Sequence, residues 1–143
     1  MHQDRGLPAR APAHQSGRFV AALHVGWRGN VLGLPGTAVG QLCAHYGCAA
    51  SELYAVRGPS LGPEKAQFLN FAQEFGQGFL PFFSRKRDTV DLWRLTRHQL
   101  EAAGLEPGRI FGLDQCTQSN PHDFFSYRAA RKTGRQMALI WLE

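Results

Sequence analysis

The stretch "RFVAALHVGWRGN" (residues 18–30) decides how this chain is read. Its first half, "RFVAALH" (18–24), is a short apolar run closed by Gly26 and Gly29, which predicts a buried strand ending on His24. Strand ends are where chemistry is often presented, so His24 is a candidate metal ligand, with a hydrogen-bonded sheet-edge histidine as the plainer alternative. A catalytic zinc takes about three protein ligands, so one histidine alone makes no site. Trp27 and Arg28 follow at the mouth of a glycine-bracketed turn. A guanidinium beside an indole suits recognition of an anionic or planar ligand, and equally suits a surface arginine covering a core tryptophan.

Outward from this stretch, residues 1–17 carry Pro8 and Pro12 and no apolar periodicity, which predicts an irregular N-terminal segment. The domain proper is expected over 18–143. On the other side, Thr37 can open a helix through Val39, Leu42, Cys43 and Tyr46 that Gly47 stops. "LYAVRG" (53–58) reads as a second strand, and "GPSLGP" (58–63) as a tightly turned loop. A helix is expected over 64–75, and a stronger one from Asp88 or Thr89 to Ala103, with Gly104 just past its end. "RIFGL" (109–113) and "QMALIWL" (136–142) complete the expected strands. The elements interleave without regular βα alternation, so the expected class is α+β (mixed α/β).

With 143 residues, the chain is the size of one domain. No apolar run reaches the roughly 18 residues of a membrane span, so no membrane partner is expected. The net charge is +5, but 13 of the 16 basic residues are arginines spread along the chain. The one dense cluster, "SRKRD" (84–88), falls in an expected loop, so a solvated basic surface is preferred over a nucleic-acid partner. Scattered arginines also suit small anions such as phosphate. Cys43, Cys48 and Cys116 are odd in number and lack CxxC spacing, which indicates neither a disulfide framework nor a structural zinc site and fits a cytoplasmic protein. In "CTQSNPHDFFSYR" (116–128), His122, Asp123 and Ser126 are too close in sequence to form a hydrolytic triad. Cys116 is a candidate nucleophile or ligand, against the alternative of a small buried apolar residue.

Taken in order, "VAALHVGWRGN", "RGPSLGP", "DLWRLTRHQLEAAGL" and "CTQSNPHDFFSYRAARKTGRQMALIWL" resemble the YfiH-type multicopper polyphenol oxidase (laccase domain) family, also described as purine nucleoside phosphorylases. The resemblance covers residues 11–143 and corresponds to the C-terminal half of a family member. It implies a partial YfiH-like fold, a mixed β-sheet core flanked by helices. It also implies a zinc-dependent site for phosphorolysis of adenosine, inosine or methylthioadenosine; adenosine deamination is attributed to the family too, and copper is an older claim. By resemblance, His24 is one of three metal ligands, the others being an upstream histidine and a cysteine just before the motif strand. Trp27 and Arg28 border the nucleoside and phosphate pocket, with Arg28 as the catalytic residue that holds phosphate. The cysteine position falls near residues 3–5, where "QDR" stands, with His2, Asp4 and His14 as the nearest substitute donors. Glu64 and Lys65 stand where many relatives carry paired cysteines. The expectation is an N-terminally truncated or misassigned-start member that binds zinc weakly or not at all. The alternative is a degenerate, non-catalytic purine-binding or structural remnant, and homo-oligomerisation is left open.

Overall fold

In the computed structural model, residues 9–142 are described. The strands are β1 (Ala9–His14), β2 (Leu23–His24), β3 (Leu53–Arg57), β4 (Phe83–Ser84), β5 (Thr89–Val90) and β6 (Ile110–Gly112). The helices are α1 (Trp27–Val31), α2 (Leu34–Tyr46), α3 (Phe71–Glu74) and α4 (Leu92–Ala102). Four strands make a mixed sheet in the order β2-β1-β3-β6, and β4 and β5 form a separate hairpin under the basic loop. The expected α+β class with a mixed sheet is borne out. Among the described residues, no helix is long and apolar enough to cross a membrane.

The segment before residue 18 is where the sequence reading fails most. Residues 9–14 are not irregular but form β1, an inner strand antiparallel to both β2 and β3. Neighbouring strands supply hydrogen-bond partners that local propensity does not reveal. Pro12 still leaves a mark: the ladder to the 18–24 segment breaks between Arg10↔Leu23 and an isolated bridge, Ala13↔Val20, across a residue with no N–H to give. That segment is consequently a strand only at Leu23–His24.

β3 reads Leu53 in, Tyr54 out, Ala55 in, Val56 out, Arg57 in, the period-2 pattern of a sheet covered on one face. Its inner face meets Phe19, Val39, Leu105 and Ile110. A second core gathers Trp27, Phe68, Phe71, Phe75, Val90 and Leu95. Here lies the next correction: 64–75 is helical only over Phe71–Glu74. The backbone before it is tied to the hairpin instead, through Phe68 N donating to Asp88 O (2.7 Å) and Val90 N to Ala66 O (3.0 Å). α4 starts at Leu92, later than expected, because the Asp91 carboxylate caps it by accepting from Arg94 N at 2.9 Å. Gly47 and Gly104 end their helices in the left-handed region, at φ 62° and 100°, as expected. The 136–142 run forms no strand; Met137, Leu139 and Trp141 are exposed. Its apolar pattern has nothing among the described residues to pair with.

Gly26 and Gly29 do not serve a sharp turn. The backbone enters α1 directly, Asn30 N donating to Gly26 O at 2.9 Å, and neither glycine takes a positive φ. Gly29 sits close to α2: a Cβ there would lie 3.2 Å from the end of the Leu34 side chain, a tight contact that a small shift of that side chain would have to relieve. α1 is locked to α4 by two side-chain hydrogen bonds: buried Thr96 Oγ1 donates to buried Asn30 Oδ1 at 2.6 Å, and partly buried Gln99 Nε2 donates to Asn30 O at 2.6 Å.

Candidate functional site

β2, β3 and β6 run in one direction, so His24, Arg57 and Gly112 all lie at one edge of the sheet, the carboxyl ends of these strands. In open sheets, such edges are where ligands are bound. His24 pairs with Ala9 and Arg57 with Arg10, which places the two side by side across β1, roughly 10 Å apart at about 4.8 Å per strand spacing.

Beyond this edge, the loops after β3 and β6 zip together: Ser60 N donates to Gln115 O (3.1 Å) and Thr117 N to Ser60 O (2.9 Å). The sequence gives each loop a polar residue that the other needs. Arg57, buried and aimed inward, ion-pairs with Asp114 and donates to Leu113 O (3.0 Å) and Ser60 Oγ (3.3 Å). Its guanidinium stacks on Trp93 of α4, 4.1 Å from the ring centroid, and Trp93 Nε1 donates to Ser60 Oγ at 2.6 Å. Burial pulls the Arg57 guanidinium down from its ordinary value and Asp114 opposes the shift; the group stays charged. A cleft of about 510 Å³ opens beside it, lined in part by Arg57, Trp93, Arg94, Arg97, Phe111 and Asp114.

Cys116 closes the same network. Its Sγ accepts from Gly62 N at 3.2 Å. Burial alone would raise this thiol, but hydrogen bonds from the Ser119 hydroxyl and from the Gly62, Ser119 and Gln118 amides outweigh it and bring the thiol below its ordinary value. The loop approaches this closely because residue 62 is glycine, where a Cβ would fall 2.9 Å from that of Cys116. Cys116 is therefore half-buried and polarised, not a plain apolar core residue.

Trp27 is not among the residues lining the cleft beside Arg57. It is buried among Phe68 and Phe75, with ring centroids 5.7 and 5.5 Å away, and its Nε1 has no hydrogen-bond partner. Arg28 lies exposed over its ring at 4.4 Å, the surface arginine covering a core tryptophan. Against the expectation of Trp27 as a binding surface, the ring is packed into a phenylalanine cluster, where burial of its large apolar face is itself favourable. Arg28 itself keeps its N–H donors unspent, making no hydrogen bond among the described residues. By contrast, Arg97 is committed to Glu101, Ile110 O and Pro107 O at 2.7–2.9 Å. Ser126 is buried while His122 and Asp123 are exposed, and no hydrogen bond joins the three.

His24 is exposed at its strand end, and among the described residues it belongs to no group of three or more converging His, Cys, Asp or Glu donors. The "QDR" position, His2 and Asp4, where partners of His24 are expected, lie outside the described residues. One group of three donors does converge, His14, Cys48 and Glu52, at the opposite end of β1. Sequence reasoning missed Arg57, Ser60, Trp93, Asp114 and Glu52, because these are distant in sequence and none sits in a recognisable spacing. The glycine-rich "RGPSLGP" loop was the available signal.

Comparison with known proteins gives this edge a context. The chain is 34% identical over 137 residues to the Purine nucleoside phosphorylase PA4543 of Pseudomonas aeruginosa, covering 90% of this chain and 54% of that protein. To the Purine nucleoside phosphorylase YfiH of Escherichia coli it is 29% identical over 137 residues, covering 90% and 53%. The crystal structure of YlmD from Geobacillus stearothermophilus superposes with a TM-score of 0.74 at 26% identity, covering 89% of this chain and 50% of that one. The chain spans about half the length of these relatives. Residues 12–143 match the family described as Multi-copper polyphenol oxidoreductase laccase, and the chain belongs to that family.

Proposed function

We propose that the sheet edge carrying His24 and Arg28 is the anion-binding side of a purine nucleoside phosphorylase site. The observation that carries this reading is the contrast among the arginines: Arg57 and Arg97 spend their donors on the protein, whereas Arg28 stands exposed with its fork open. An open guanidinium offers two parallel N–H donors, the geometry that phosphate takes. The names of the relatives support the reaction class. In phosphorolysis a phosphate oxygen bonds to the sugar's anomeric carbon as the bond to the purine ring nitrogen breaks; the base leaves with that electron pair and takes up a proton. Holding phosphate in line is the part Arg28 can perform. Adenosine, inosine and methylthioadenosine are the substrates proposed, and no step here runs through zinc.

The test is phosphate-dependent release of free base from inosine and adenosine by the purified chain, alongside Arg28→Ala and His24→Ala. Release that requires phosphate and falls in both variants supports the reading. Absence of release from a folded chain favours the second reading, a non-catalytic purine-binding remnant. What favours that alternative is that His24 belongs to no group of three or more converging donors among the described residues. Nucleoside binding without turnover, measured by calorimetry, is its signature.

A further inference from the structure

We infer that His14, Cys48 and Glu52 form a zinc-type metal site, separate from the His24 edge. Each offers one donor atom, and the three donors lie within 4.8 Å of one another. They come from different elements: His14 ends β1, Cys48 follows the Gly47 cap of α2, and Glu52 closes the 3₁₀ turn Ala50–Glu52 before β3. Because β1 pairs Ala9 with His24, His14 sits five residues further along the strand, about 17 Å away at 3.4 Å per residue.

The second observation is the state of His14. Its side chain is only 4% exposed, and its Nε2 is buried with no hydrogen-bond partner among the described residues. Leaving a buried polar nitrogen unpaired is unfavourable, and this one lies among the Cys48 and Glu52 donors. The other ring nitrogen is held by Ser16: the Ser16 amide N–H donates to Nδ1 at 3.2 Å, and the Ser16 hydroxyl oxygen lies 2.7 Å from it. For Nε2 to ligate a metal the ring proton must sit on Nδ1, where the Ser16 hydroxyl oxygen stands ready to accept it.

Glu52 Oε1 is 3.7 Å from Nε2, too long for a hydrogen bond. It is close to the roughly 3.4 Å edge of a tetrahedron with metal–ligand bonds of about 2.0–2.1 Å. The carboxylate is already oriented, Oε2 accepting from Ala49 N at 2.7 Å and Oε1 from Gln15 Nε2 at 3.2 Å. One imidazole, one thiol and one carboxylate form a borderline-soft set that suits Zn²⁺ rather than Mg²⁺ or Ca²⁺. The Glu52 side chain is 36% exposed, which leaves an ion a way in, and the Cys43 thiol adjoins that of Cys48. Bound metal would staple the end of β1 to the end of α2.

The test uses the full chain, stripped with a chelator and kept reduced. Zn²⁺ is titrated against a chromogenic chelator, and Co²⁺ is added separately as a spectroscopic probe. The expected result is one Zn²⁺ per chain and a thiolate-to-cobalt charge-transfer band in the near ultraviolet. Both are lost in Cys48→Ser and Glu52→Gln and kept in His24→Ala and Cys116→Ser. Circular dichroism of each metal-free variant establishes that it is folded; Glu52, half-exposed, is the substitution least able to unfold the chain. The inference is overturned if the folded wild-type chain takes up no stoichiometric zinc. It is equally overturned if uptake survives Cys48→Ser or Glu52→Gln, or follows His24 instead.

Discussion

Replacing Thr96 by valine tests what holds the motif helix α1 in place. Thr96 and Asn30 are each 1% exposed, and the threonine hydroxyl donates to Asn30 Oδ1 at 2.6 Å across 66 residues of sequence. Valine has nearly the same shape, so packing is kept and only the hydroxyl is lost. Asn30 Oδ1 then remains buried without a donor, which costs about 1–3 kcal/mol. For a domain of this size about 1 kcal/mol moves the melting temperature by roughly 3–4 °C, so a fall of about 3–12 °C is expected. In urea the midpoint should drop with an unchanged m-value, because the same surface is exposed on unfolding. Asn30→Ala destabilises too, and the double variant Asn30→Ala/Thr96→Val should lose less than the sum, with a coupling above about 0.5 kcal/mol. A Thr96→Val loss below about 0.5 kcal/mol, together with additivity, would refute the argument that a desolvated bond anchors α1. The Gln99 Nε2 to Asn30 O bond is untouched in all three variants, so it does not confound the cycle.

Trp27→Ala should cost about 3–5 kcal/mol in chemical denaturation, as for a core aromatic; a stable variant with only weakened nucleoside binding would restore Trp27 as a binding surface. Arg28→Ala, at an exposed position, should leave the melting temperature within roughly 2 °C of wild type, in line with surface substitutions of about ±0.5 kcal/mol. In that variant the KM for phosphate should rise if the proposed function holds, and an unchanged KM removes Arg28 from phosphate binding. The Cys116 thiol, lowered by its hydrogen bonds against the effect of burial, should alkylate with a pH midpoint below that of a free thiol. Peptide-resolved mass spectrometry across pH reads this, and Ser119→Ala should move the midpoint up; no movement means the Ser119 hydroxyl does not polarise the sulfur. Gly112→Ala places a Cβ 2.7 Å from an Arg57 nitrogen, and overpacking of this kind costs about 1–3 kcal/mol, visible in the thermal melt.

The sequence by itself determined the class of fold and the identity of the motif strand's end. Alternating β3 and the Gly47 and Gly104 stops depend on local periodicity and local backbone conformation, which any reader of the chain can follow. His24 and Arg28 were legible as candidates for the same reason, since both stand in one continuous motif. Tertiary structure decided what no local pattern encodes. β1 exists because two other strands hydrogen-bond it, despite its proline. Residues 64–70 avoid a helix because the hairpin claims their backbone. Trp27 faces the core because a phenylalanine cluster assembled from residues 68–75 is there to receive it, leaving Arg28 alone at the surface. Arg57, Ser60, Trp93, Asp114 and Cys116 meet only when β3 and β6 lie parallel and α4 packs beside them. His14, Cys48 and Glu52 likewise meet only where three chain segments end together, so no spacing rule along the chain could have revealed them.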